Sequence, residues 1–172
     1  MKNIFTDNER LILYNQYQIL SILEEDEVLK KEYNHYMKVL QNGYVHDYSM
    51  FNDYIYEEMD TEDCEFVWKV LQMYRTIYSS FYALESPSIS KDEITFKGFD
   101  GNEEPDEYAY CKFIINDLER YQELLDNNPH KDLNTHTNTK SRYKNMLDKF
   151  SAYGNKYNLT EEELKYLLNI ND

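Results

Sequence analysis

The sequence predicts an all-α fold, a single-domain bundle of about six to seven helices over 1–172 with one long irregular connection at 85–105 that includes a short extended segment. Three observations predict it. Four Gly and three Pro in 172 residues leave too few turn-makers for the closely spaced strands of a sandwich or barrel. Apolar residues recur at three- and four-residue spacings along most of the chain. Two capping boxes, Thr6-Asp7-Asn8-Glu9 and Thr160-Glu161-Glu162-Glu163, mark where helices begin.

The first helix starts at Thr6 and is expected to run to about Glu25, with apolar rows Leu13, Tyr17, Leu20 and Ile12, Ile19, Leu23. So wide a stripe predicts a helix deep in the fold. Glu24-Glu25-Asp26-Glu27 is unfavourable at a helix end and favourable in a first turn, so it marks a joint. A second helix follows with Val28, Leu29, Tyr33, Tyr36, Met37 and Leu40 inward, and Asn42-Gly43 supplies a left-handed stop. From Tyr44 to Met59 the spacing of Tyr44, Tyr48, Met50, Phe51, Tyr54 and Ile55 fits a short helix.

A helix from Asp60 to Leu84 is apolar on nearly every face, with Phe66, Val67, Trp68, Val70, Leu71, Met73, Tyr74, Ile77, Tyr78, Phe81 and Tyr82, and is the predicted centre of the core. Pro87, Gly98, Gly101 and Pro105 break the pattern over 85–105 around a β-like run, Ile94-Thr95-Phe96. The next helix begins at Glu104-Pro105-Asp106, with proline in its first turn. Its stripe of Tyr110, Cys111, Ile114, Leu118, Tyr121 and Leu125 predicts one rod ending at Asp126-Asn127-Asn128-Pro129. After a polar loop, Tyr143, Met146, Leu147 and Phe150 form the one-sided stripe of a peripheral helix ending at Gly154. Leu159 and Leu164 staple the start of the last helix.

The formal net charge of −15 argues against nucleic acid as a partner, because affinity for phosphates comes from Lys and Arg displacing counterions. The charge is uneven. Residues 1–128 carry 11 basic and 27 acidic side chains, while 129–157 carry six basic (Lys131, Lys140, Arg142, Lys144, Lys149, Lys156) and two acidic. A basic segment beside an acidic body is expected to dock within the chain or on the acidic face of a second subunit. Aromatic residues make up 16% of the chain, including 18 Tyr, which excludes intrinsic disorder. Tyrosine also suits interfaces, since its ring packs while its hydroxyl stays wet. AT-rich coding DNA would enrich Tyr too.

No leader-like apolar run follows Met1, and no stretch approaches the roughly 18 apolar residues of a membrane span. The expectation is a soluble, cytoplasmic protein without membrane attachment. Cys64 and Cys111 are expected as buried thiols rather than a disulfide. Glu32 and His35 stand at the i, i+3 spacing of a di-iron site but lack a second such motif, and His46, His130 and His136 lack the clustering of a metal site. Neither a metal nor a cofactor is expected, and no phosphate-cradling glycine loop is present.

Arg10-Leu11-Ile12-Leu13-Tyr14-Asn15-Gln16-Tyr17, Met73-Tyr74, Ile94-Thr95-Phe96-Lys97-Gly98-Phe99-Asp100 and Tyr143-x-x-Met146-Leu147 together resemble, in order and spacing, the signature of the YfbU family of small bacterial proteins. The resemblance implies a cytosolic, chiefly helical protein and no particular activity. Within the shared segments, Gly98 is placed for a positive φ, Phe96 and Phe99 for anchoring a loop, and Asp100 for bonding its own turn. Asn15 and Gln16 are amides on an apolar helix that need partners if buried, and the backbone around Gly98 is the expected source.

The leading functional expectation is a non-enzymatic, self-associating interaction or regulatory module, a homo-oligomer with room for a basic protein partner. The alternative is a hydrolase or small-ligand-binding protein with a pocket between the first helix and the 94–100 loop, using Arg10, Asn15, Gln16, Gly98 and Asp100. A third reading has the acidic surface mimic DNA and occupy a basic protein.

Overall fold

A computed structural model describes residues 5–52, 55–126, 128–154 and 158–170. Tyr54 of the 44–59 run, Asn127 of the expected helix end and Lys156 of the basic segment lie outside them. The chain is all-α and forms two compact units, Met1–Glu58 and Met59–Asp172. Among the described residues no helix is long and apolar enough to cross a membrane.

In the first unit Thr6 and Glu9 close their capping box and start α1, Asp7–Leu23. Asp26 accepts from the amides of Val28 and Leu29 and starts α2, Glu27–Asn42, which Gly43 ends in the left-handed conformation at φ 69°. The two helices pack against each other. A 3-10 turn, Val45–Phe51, replaces the expected short α-helix and brings Tyr48 and Phe51 to a cluster of rings. Phe5 lies 4.9 Å from Tyr48, and Tyr17 lies 4.9 Å from Tyr36 and 5.8 Å from Phe51. Edge and tilted contacts of this kind supply the unit's cohesion, since among its described residues the buried apolar side chains are Leu40 and Tyr48.

Two expectations fail here. No residue of α1 is buried; Leu13 and Tyr17 are half-buried while Leu20, Ile12, Ile19 and Leu23 are exposed. Val28 and Leu29 of α2 are exposed as well. A single antiparallel neighbour covers one side of a helix, so a stripe wrapping most of α1 is wider than α2 can hide.

In the second unit α3, Thr61–Ala83, buries ten residues and is the central helix that its composition predicts. Against it pack α4 (Lys91–Ile94), α5 (Pro105–Lys112), α6 (Lys140–Ser151) and α7 (Glu161–Leu168). The run Ile94-Thr95-Phe96 is not extended throughout. Ser90 and Glu93 form a capping box that folds Lys91–Ile94 into one helical turn, because a local box satisfies amides that an isolated strand would leave open.

The helix expected to run to Leu125 stops early. α5 widens into a π-turn, Phe113–Asp117, in which the Leu118 amide bonds the Phe113 carbonyl; the Arg120 amide then closes on Ile114. Tyr121 sits at φ 57° before a 3-10 turn, Gln122–Leu125. The added residue keeps Ile114 and Ile115 buried and still delivers Tyr121 to the core, where Arg75 lies 3.9 Å from its ring centre. α6 is less peripheral than its stripe implies, for Tyr143 and Met146 are buried. Leu159 and Leu164 are buried at the start of α7 as expected. Cys111 is buried, whereas Cys64 is only partly so.

Candidate functional site

The five residues marked out by the sequence fall in both units. Arg10, Asn15 and Gln16 belong to the first; Gly98 and Asp100 belong to the second.

Arg10 fastens α1 to the end of α2. Its Nε donates to the Leu40 carbonyl at 2.9 Å and an Nη to the Gln41 carbonyl at 3.2 Å, while the other Nη meets Asp7 at 3.2 Å. A guanidinium on the last carbonyls of a helix also answers the negative end of its dipole. Around it Asp7, Leu11, Tyr14, Leu40 and Gln41 line an open depression of about 570 Å³. All three guanidinium nitrogens that line it already have partners within the chain.

The opposite side of α1 is bare. Ile12 and Ile19 are each 57% exposed, Ile22 74% and Leu23 72%, with Leu11 and Leu20 exposed beside them. Asn15 and Gln16 are exposed too, standing between Ile12 and Ile19. Three- and four-residue steps put Ile12, Asn15, Ile19, Ile22 and Leu23 on one face. Exposed helical leucines and isoleucines are unremarkable singly, but six on one helix exceed ordinary scatter.

In the second unit the 96–104 segment is laced to 128–140. Phe99 forms a parallel bridge with Asn134: its amide bonds the Leu133 carbonyl at 3.0 Å and its carbonyl accepts the Thr135 amide at 3.1 Å. Gly98 holds φ 91°, and a Cβ there would stand 1.9 Å from the Leu133 oxygen. The Gly98 carbonyl accepts the buried Tyr143 hydroxyl at 2.8 Å. Asp100 turns its carboxylate onto the Asn102 amide at 2.9 Å, closing its own turn as expected.

Three polar residues that sequence reasoning missed complete the arrangement. Glu104, 2% exposed, accepts from the Asp100 amide, the Thr139 amide and hydroxyl, and the Lys140 amide, so it caps α6 from far along the chain. Asn128 donates to the Phe96 and Leu124 carbonyls and accepts from His130, and Asn134 accepts from Gly101 and His136. The Thr139–Lys140 helix start carried a signal, a first turn without an acidic residue; what Glu104 faces carried none.

The basic segment is partly engaged within its unit. Lys140 meets Asp63 at 2.9 Å and also Glu107, and those carboxylates, Glu107 foremost, hold its ammonium above the usual lysine range. Lys149 donates to the Tyr166 carbonyl at 2.7 Å. Arg142 and Lys144 are exposed.

The three later segments with the family-like pattern, those at 73–74, 94–100 and 143–147, meet in one nucleus of the second unit. Tyr74 lies 4.9 Å from Phe96 and 5.6 Å from Tyr143, and Phe99 lies 5.4 Å from Tyr143. The model of the YfbU domain matches residues 3–170. A protein of Methanocaldococcus jannaschii, named "UPF0304 protein MJECS11", is 33% identical over 94% of this chain and 96% of its own length. That relative is archaeal, so it does not carry the expectation of a bacterial source. Matched almost end to end by the domain model and by this relative, the chain belongs to the YfbU family.

Proposed function

We propose that the chain is an interaction module that associates with copies of itself through its first unit and performs no chemistry of its own. The observation that carries this reading is the side of α1 facing away from α2, where Ile12, Ile19, Ile22 and Leu23 are exposed with Leu11 and Leu20 on its flanks, and no residue of the helix is buried. Large aliphatic side chains exposed together on one helix face are the kind of apolar patch that marks an interaction surface. The tyrosine-rich unit beneath, braced by Arg10, offers a preformed surface, which lowers the ordering cost of association.

A hydrolase or ligand pocket has less support. The guanidinium nitrogens of Arg10 are engaged by α2 and Asp7, and the polar groups around Gly98 and Asp100 are engaged with one another.

Sedimentation of the full chain at about 1 and 50 μM tests the proposal, a range that brackets micromolar affinity. A dimer or larger species is expected at the higher concentration, and Ile19→Asp is expected to return it to monomer. A wild-type chain that stays strictly monomeric overturns the reading.

A further inference from the structure

We propose that a second copy of this chain covers α1 by laying its own α1 antiparallel across it, with Asn15 and Gln16 at the two-fold axis as the residues that set the register. This deepens the self-association proposed above and rests on it.

The stripe is self-complementary about its middle. α1 runs from Asp7 to Leu23, and its midpoint is Asn15. When two such helices run antiparallel about an axis between positions 15 and 16, Ile12 of each copy meets Ile19 of the other. Asn15 then stands beside its own copy on one flank of the seam and Gln16 beside its copy on the other. An amide carries both donor and acceptor, so two identical amides related by a two-fold axis can exchange reciprocal hydrogen bonds. Any slip by one turn would set an amide against an isoleucine and leave its polar atoms unpaired, the means by which a polar residue in an apolar seam selects one register at some cost in affinity.

Charge chooses the antiparallel direction. Glu24, Glu25, Asp26 and Glu27 follow α1 immediately. In a parallel pair these carboxylates would face their own copies. In an antiparallel pair they lie at least about 25 Å from their own copies along the axis, and each cluster faces a first turn with only Asp7 and Glu9, beside Arg10, in place of its four like charges. Ile12, Ile19, Ile22 and Leu23, each 57–74% exposed, would be the side chains that an isologous seam covers.

Single cysteines on the full chain, in a Cys64→Ser background, test the geometry; Cys111 is buried and its thiol is pushed up by burial, so it stays silent. Gln16→Cys is expected to give a covalent dimer on mild oxidation. Leu23→Cys is expected to give at least about ten-fold less, because its copy is about 22 Å away along the axis. Asn15→Leu combined with Gln16→Leu is expected to tighten the dimer while letting Leu23→Cys cross-link through slipped or parallel pairs. Equal cross-linking at positions 16 and 23 in the otherwise unaltered seam overturns the antiparallel arrangement. A wild-type dimer with no cross-link at either position overturns the α1 seam but leaves self-association standing. A wild-type monomer whose Ile19→Asp variant loses binding to some other protein overturns both.

Discussion

At the scale of single residues, Gly98 and Glu104 show how a loop is held without regular strands. The backbone at Gly98 passes so close to Leu133 that only a hydrogen fits where a Cβ would be, and its φ of 91° lies outside the range of L side chains. Gly98→Ala is therefore expected to cost about 2–4 kcal/mol through backbone displacement and strain. Urea unfolding measures it, and an unchanged midpoint would mean that the 133–135 segment yields freely. The positive φ at Gly98 and the turn closed by Asp100 were legible in the order of residues, since both are local. Glu104 was not, because its ligands at Thr139 and Lys140 are brought to it only by folding. Arg10 stood out as a residue type, but its role in fastening the end of α2 depends on a contact thirty residues away.

At the scale of elements, α1 and α3 are both rich in apolar residues and have opposite fates. α3 is enclosed by α4, α5, α6 and α7, whereas α1 has α2 alongside and an exposed far side. Hydrogen exchange should register the contrast: amides of α3 are expected to exchange only through the largest openings, and those of α1 through much smaller ones. Self-association predicts more. Protection along α1 is expected to rise with protein concentration while that along α3 stays level, and concentration-independent exchange in both helices would count against the proposed seam. The break in the α5 rod has a similar lesson. The stripe Tyr110, Cys111, Ile114, Leu118, Tyr121, Leu125 is regular enough for one helix, yet the π-turn and the left-handed Tyr121 show that core packing around Ile114, Ile115 and Tyr121 outweighed local pitch.

At the scale of the whole molecule, the tyrosines that serve as core residues couple stability to alkaline pH. Burial raises the hydroxyls of Tyr74 and Tyr143 above the ordinary value of 10.0. The native state therefore keeps protons that the unfolded chain releases above pH 10, so their contribution is complete below that pH and is lost as pH rises. The slope approaches about 1.4 kcal/mol per pH unit for each fully buried tyrosine. Melting followed by circular dichroism is expected to show a lower midpoint at pH 11 than at pH 8, and equal midpoints would mean that these hydroxyls ionise within the fold. At the acid end Glu9 and Glu93 are held below the ordinary 4.5 by hydrogen bonds from Thr6 and Ser90. Their effect is present above that value and lost as pH falls, and both sit on the surface where solvent screens it.

What the sequence determined by itself was the class of fold, the helix starts at Thr6 and Thr160, the stop at Gly43, the central place of α3 and the family. Each depends on residues near one another in the chain, through caps, periodicity and the rarity of Gly and Pro. Only the tertiary structure decided that α1 would keep an apolar side exposed, that Glu104 would cap α6, and that Arg10 and Asp100 would belong to different units. Those outcomes turn on which surfaces meet, and a hydrophobic stripe has the same pattern whether its cover is another helix of the same chain or a helix of a second copy.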